Sequence, residues 1–215
     1  MFVLYYSPGS CSTAAHILLE ECGADYQAKR VNLAAGEQRT EEYRKINIHG
    51  KVPALEIGDR IITQNAAILP FISGQFPESN FTPPDPIDYA KCVELVGWLA
   101  SAVHPAFGLA LHPERPAGGE DIDESTIDLI SKNGHNIFWN NLSEINDRLE
   151  GKTWVMGPQY TFADPYALVF YAWGKRLEQP MSQLENYTAW KDRMLERPAV
   201  RRVLERENSA LLKAA

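Results

Sequence analysis

One cysteine stands where a helix should begin. Residues 2–18 read as an apolar strand (Phe2-Val3-Leu4-Tyr5-Tyr6), a Pro8-Gly9 turn, and a helix that opens on Cys11. A thiolate there meets the unpaired amides of the first helical turn and the positive end of the macrodipole, which lower a cysteine pKa from about 8.5. The same place suits a ligand's sulfur anion. The competing reading is a small buried residue at a tight turn. A second candidate lies in Ile48-His49-Gly50-Lys51-Val52-Pro53-Ala54-Leu55. Proline lacks an N–H and belongs at a strand's first residue, and a cis Val52–Pro53 bond would turn the Val52 N–H and C=O outward to pair with an extended peptide. An ordinary trans proline is the alternative. Third, Gln64-Asn65 precedes an apolar helical run, so Asn65 reads as an N-cap. The adjacent amides become an anion site if that helix end faces Cys11.

These residues need elements to hold them. After Phe2–Tyr6 and a helix over about 11–22, Gly23 is a stop and Tyr26–Val31 a second strand. Residues 40–46 suit a short helix, Val52–Ile57 a strand, Gly58-Asp59 a tight turn, Arg60–Thr63 its hairpin partner, and Asn65–Gln75 a helix. The order is βαβαββα, with one parallel pair from the crossover and one antiparallel pair from the turn. Residues 77–86 carry four prolines and no period, and read as a linker between a first domain (1–76) and a helical second one (87–215). In the second, Cys92, Leu95, Val96, Leu99 and Val103 form one apolar stripe, and Ile130, Ile137, Phe138, Ile145 and Leu149 another. Thr161-Phe162-Ala163-Asp164 reads as a capping box, followed by helices over 182–196 and 198–206.

Composition narrows the function classes. The net charge is −7, with 7 basic and 8 acidic residues in 1–75 and 14 and 20 beyond, which argues against a nucleic acid or an anionic membrane as partner. A small anion meets less repulsion in the first domain. Three scattered cysteines make no disulfide framework and fit a reducing, cytoplasmic setting. No signal peptide and no membrane span is expected.

Taken in order, three motifs resemble the cytosolic glutathione S-transferases across essentially the whole chain. Tyr5-Tyr6-Ser7-Pro8-Gly9-Ser10-Cys11-Ser12 is similar to the start of the bacterial beta-class enzymes. Gly50-Lys51-Val52-Pro53-Ala54-Leu55 is similar to the family's cis-proline loop, and Tyr160-Thr161-Phe162-Ala163-Asp164 to its capping box. The resemblance implies an α/β, thioredoxin-like first domain and an all-helical second domain. It also implies glutathione as cosubstrate, no metal, and a homodimer joined through the first domain of one subunit and the second of the other. Cys11 would face the glutathione thiol with Tyr6 in a smaller role, and His104 would reach the sulfur from the second domain. A protonated His104 favours a thiolate, and a neutral one hydrogen-bonds the thiol; a helix-end cap is its structural alternative. Ser10, Lys51, Val52, Pro53, Gln64 and Asn65 would bind glutathione, while Phe107 and Leu111 would line an apolar cosubstrate pocket. Gln64-Asn65 stands where the family usually has an acidic residue followed by Ser, Thr or Gly. Charge-assisted hydrogen bonds are worth about 1.5–3 kcal/mol against about 1 for neutral ones, so the departure should weaken binding tenfold or more. The implied activity is transfer of glutathione to a small apolar electrophile. A thiol–disulfide reductase using Cys11 and a non-catalytic carrier of apolar ligands are the alternatives.

Overall fold

The computed structural model describes residues 1–117 and 122–213. The first domain runs β1 (Phe2–Tyr6), α1 (Thr13–Glu21), β2 (Tyr26–Arg30), α2 (Glu41–Ile46), β3 (Ala54–Ile57), β4 (Arg60–Thr63) and α3 (Asn65–Gln75). Its sheet has the order β2-β1-β3-β4. The β1–β2 pair is parallel, and β3 runs antiparallel to both β1 and β4. Strand alternation gives each sheet face its own core. Leu4 and Leu55 pack with Ile17, Leu18, Ile68 and Ile72 of α1 and α3. Val3, Tyr5, Val52 and Ala54 pack with Tyr43 of α2 on the other face. This is the expected thioredoxin-like arrangement, with α1 starting two residues later than Cys11.

The second domain comprises α4 (Pro86–Trp98), α5 (His104–Leu111), α6 (Glu114–Ala117), α7 (Glu124–Arg148), α8 (Asp164–Arg176), α9 (Glu185–Glu196) and α10 (Pro198–Arg206). Asp85 caps α4 by accepting from the Ile87 and Asp88 amides. A π-helical turn, Leu99–Val103, joins α4 to α5. Pro105 explains that turn: it has no N–H to donate and crowds the carbonyl four residues back, so the ladder widens just before His104. The run Pro86–Leu111 is long and apolar enough to cross a membrane, which sequence analysis overlooked. Its stripe, Cys92, Leu95, Val96, Leu99 and Val103, is buried in the protein core, which accounts for the apolarity.

The second stripe needs one correction. Phe138, Leu142 and Ile145 of α7 are buried, but Ile137 is 47% exposed, because one residue turns a helix by about 100° and Phe138 holds the inward position. The Thr161–Asp164 box is present in altered form. Asp164 is fully buried and accepts from the Thr161 amide at 2.8 Å and hydroxyl at 3.1 Å, while its other oxygen takes the Val155 amide and the Trp190 indole.

Helix α1 packs against α3 on one side and α8 and α10 on the other, so the loop carrying Cys11 lies where the domains meet.

Candidate active site

The site assembles from three loops of the first domain. Cys11 ends the β1–α1 loop, and its thiol donates to the Val52 carbonyl at 3.3 Å. The Val52–Pro53 bond is cis, as the family resemblance implied. The preceding turn is pinned at the Lys51 carbonyl, which accepts from the Tyr43 hydroxyl at 2.9 Å and the Asn47 amide at 2.7 Å. Gly50 is required there: its φ is +58°, and a Cβ would sit 2.7 Å from the Gln38 carbonyl. The third loop delivers Asn65, 4% exposed, whose Nδ2 donates to the Cys11 carbonyl at 2.8 Å. The α3 end therefore does face Cys11.

Asn65 is not the N-cap expected of it. Gln64 occupies that position with no side-chain cap, at φ 72° and ψ 126°, while Asn65 is the first helical residue. A positive φ in a non-glycine residue is strained, and such strain concentrates at ligand clamps. Gln64 is exposed, with its side chain available to a ligand.

Two residues of the second domain complete the cluster. His104, brought in by the π-helical turn, packs edge-on to Trp173 with ring centroids 4.8 Å apart. Its Nδ1 lies 3.5 Å from the hydroxyl of Tyr166 on α8. Burial, helped by the Lys51 charge, pushes His104 down to about 4, so it is neutral near pH 7 and the neutral role is the one available.

Cys11 departs from expectation in the opposite direction to a helix-end thiolate. Burial pushes its thiol up to about 12, outweighing the backbone amide and Lys51, both of which act to lower it. The thiol is packed inside, and α1 begins two residues beyond it.

The remaining candidates sit apart from these contacts. Tyr6 makes none of the cluster's hydrogen bonds, and its ring packs 4.8 Å from that of His16. Burial, then the Glu207 charge, raises its pKa. The Ser10 hydroxyl is paired with that of Ser12 at 2.7 Å. Phe107 is 6% exposed and stacked on Trp173 at 4.0 Å, which makes it part of the domain core; Leu111 is half-buried beside that core. Sequence analysis passed over Tyr166, whose one signal was its place two residues after the capping Asp164 on a helix directed at the first domain.

A thioredoxin-like domain and a helical domain, meeting at a cysteine, a cis-proline loop and a half-buried histidine, define a two-domain enzyme built to handle thiols. Comparison with known proteins agrees. The glutathione S-transferase N-terminal domain matches residues 1–74 and the C-terminal domain residues 140–198. Over 207 residues the chain is 28% identical to glutathione S-transferase GstA of Escherichia coli O157:H7, covering 95% of this chain and 98% of that protein. It is 30% identical to the bacterial beta-class enzyme of Sphingomonas chungbukensis, with TM-score 0.83, covering 98% of this chain and all (100%) of that one. A Sulfitobacter homologue solved with bound glutathione superposes at TM-score 0.88 and 26% identity, over 96% of this chain and 98% of the other. The chain belongs to the glutathione S-transferase family, and its relatives are glutathione transferases.

Proposed function

We propose that this transferase binds glutathione along Val52 and Gln64–Asn65, with the sulfur held between Cys11 and His104, and passes it to a small apolar electrophile. The observation that carries this is the convergence of the Cys11 thiol, the Val52 backbone and the Asn65 amide within 2.8–3.3 Å contacts, opposite His104. A peptide that pairs with the Val52 carbonyl competes with the Cys11 thiol for it, which releases that thiol as a donor to the ligand's sulfur. Neutral His104 adds a hydrogen bond and Lys51 a positive field, so the glutathione thiolate is stabilised in a nearly dry site while its proton leaves to solvent. The thiolate then forms the C–S bond, and the leaving group departs with the electron pair. Conjugates of this kind are more polar than the starting electrophile, which suits detoxification.

The alternative reductase route makes Cys11 itself the nucleophile. A thiol pushed up to about 12 disfavours it, since the thiolate is the attacking form. A homodimer in the cytoplasm belongs to the same reading; Ile48 of the first domain and Ile87 of the second, 78% and 68% exposed, are apolar groups suited to such an interface. Calorimetric titration with reduced glutathione tests the proposal. Saturable binding of one molecule per subunit, at micromolar to low millimolar strength, is expected. No heat at several millimolar overturns both enzymatic readings and leaves a carrier of apolar ligands.

A further inference from the structure

His104 can act on a sulfur as a donor through an N–H or as an acceptor through a lone pair, and the protein's own hydrogen bonds decide between them. Its ring is walled by Trp173 at 4.8 Å and Phe170 at 6.4 Å, which offer no acceptor in those directions. The polar neighbour is the Tyr166 hydroxyl, 3.5 Å from Nδ1, long for a resting hydrogen bond and within reach of tightening when ligand binds. Tyr166 is 2% exposed, and burial together with the nearby Cys11 keeps it protonated. It therefore has one proton to give. Asn65 lies beside the same hydroxyl with its amide as donor, and the buried Asn65 Oδ1 has no hydrogen-bond partner, so the Tyr166 proton is not spent there. Nδ1 of His104 is the acceptor left.

We propose that Tyr166 is a positioning residue for His104: its hydroxyl donates to Nδ1, holds the imidazole in the Nε2–H tautomer, and aims that N–H at the sulfur of the bound thiol. The sulfur's location rests on the glutathione reading above; the tautomer does not. Among the described residues Nε2 makes no hydrogen bond, and it is not among the buried unpartnered atoms, so it keeps some exposure to solvent. One path then links both halves of the site: Cys11 carbonyl, Asn65 amide, Tyr166 hydroxyl, His104. The histidine's task is to donate to a developing thiolate, not to remove its proton.

The decisive measurement is the imidazole 15N–1H spectrum of the uniformly labelled, ligand-free protein near pH 7, with the His104 signals assigned by their loss in His104→Gln. The expected pattern has the proton on Nε2 and an unprotonated, acceptor-type Nδ1. Tyr166→Phe should shift His104 toward a mixture of tautomers. It should also lower kcat for conjugation by about tenfold, the effect of one lost hydrogen bond, with KM for glutathione unchanged. A proton on Nδ1 in the wild-type protein overturns the proposal. So does a Tyr166→Phe spectrum identical to wild type. The wild-type spectrum decides even if the variant misfolds, and because it needs no ligand, failure of glutathione to bind leaves the tautomer result standing on its own.

Discussion

At Cys11 two effects compete, and their sizes decide the outcome. A helix N-terminus contributes about 0.3–1 kcal/mol to a nearby anion, less than one pKa unit, whereas full burial moves a group by as much as 3–5 units. Burial wins, and the thiol is pushed up to about 12. Cys11→Ala should therefore keep the fold, measured by circular dichroism, while slowing conjugation of glutathione severalfold, because the bound sulfur loses one hydrogen-bond donor. Unchanged conjugation kinetics in the variant remove Cys11 from the site. His104 gives a prediction with a definite pH window. Its folded pKa of about 4 lies below the ordinary 6.5, so the protein must disfavour its protonated form. That stability is fully present above pH 6.5 and is lost as pH falls toward 4. Burial pushes the Asp164 carboxyl up to about 6, which acts in the opposite direction as pH falls, so the His104 share is read as a difference. Between pH 7 and 4 urea midpoints should decline more, or rise less, in wild type than in His104→Gln, and parallel curves would show that His104 is not held neutral by its surroundings. Cys11 and Val52-Pro53 stood out in the sequence through the family resemblance; taken singly, each fitted a small buried residue and an ordinary trans proline equally well. The sequence could not reveal Tyr166, since a tyrosine on an apolar helix face looks the same whether its hydroxyl meets another helix or a histidine 62 positions away.

At the scale of elements, the C-terminal end of α10 holds the β1–α1 loop that carries Cys11 in place. Glu207, 6% exposed, accepts from the Gly9 amide at 3.0 Å, the Thr13 hydroxyl at 2.6 Å and His16 Nδ1 at 2.8 Å. The Trp173 indole of α8 donates to the Gly9 carbonyl at 2.9 Å. A carboxylate at a helix C-terminus is opposed by the macrodipole, so three donors from another domain explain why this one is stable there. Glu207→Ala should cost about 3–5 kcal/mol in urea unfolding, the usual penalty for removing one member of a buried polar pair. It should also weaken glutathione binding, because residues 9–13 lose their anchor. A loss under 1 kcal/mol would mean that the loop is held by its own turn. The succession of strands, α3 and the core stripe of α4 were legible because alternation and helical period depend on local sequence, whereas the β1–β3 pairing that sets the sheet order was not. The Glu207 anchor was hidden: Glu205-Arg206-Glu207-Asn208 reads as a solvated charge run until α10 is folded against α1.

Across the whole molecule, charge holds the outer side of the same domain junction. Arg197 of the second domain grips Glu21 with two bonds, at 2.6 and 2.8 Å. Arg202 and Arg206 both reach Glu20 at 2.7 Å, and Tyr26 of β2 donates to it at 2.8 Å. Burial alone would raise the Glu20 pKa; hydrogen bonds from Arg202, Tyr26 and Arg206 overcome it and hold the carboxyl near 2. A folded pKa below the unfolded value near 4.3 gives stability that is present above pH 4.3 and lost as pH falls through about 2. This window lies below that of His104, and the two differ in kind. The Glu20 partners Arg202 and Arg206 are half exposed, at 50% and 52%, so salt should screen their share, whereas His104 is neutral above its window and walled by aromatic rings. Acid unfolding followed by tryptophan fluorescence should accordingly show one limb between pH 6.5 and 4, isolated as the difference from His104→Gln because Asp164 opposes it, in which salt screens only the Lys51 share. A second limb, below about 4.3, should weaken in 1 M NaCl and disappear in Glu20→Gln. If Glu20→Gln left the lower limb unchanged, the junction would be held by its buried Glu207 anchor and apolar packing, with the outer ion pairs contributing no measurable share.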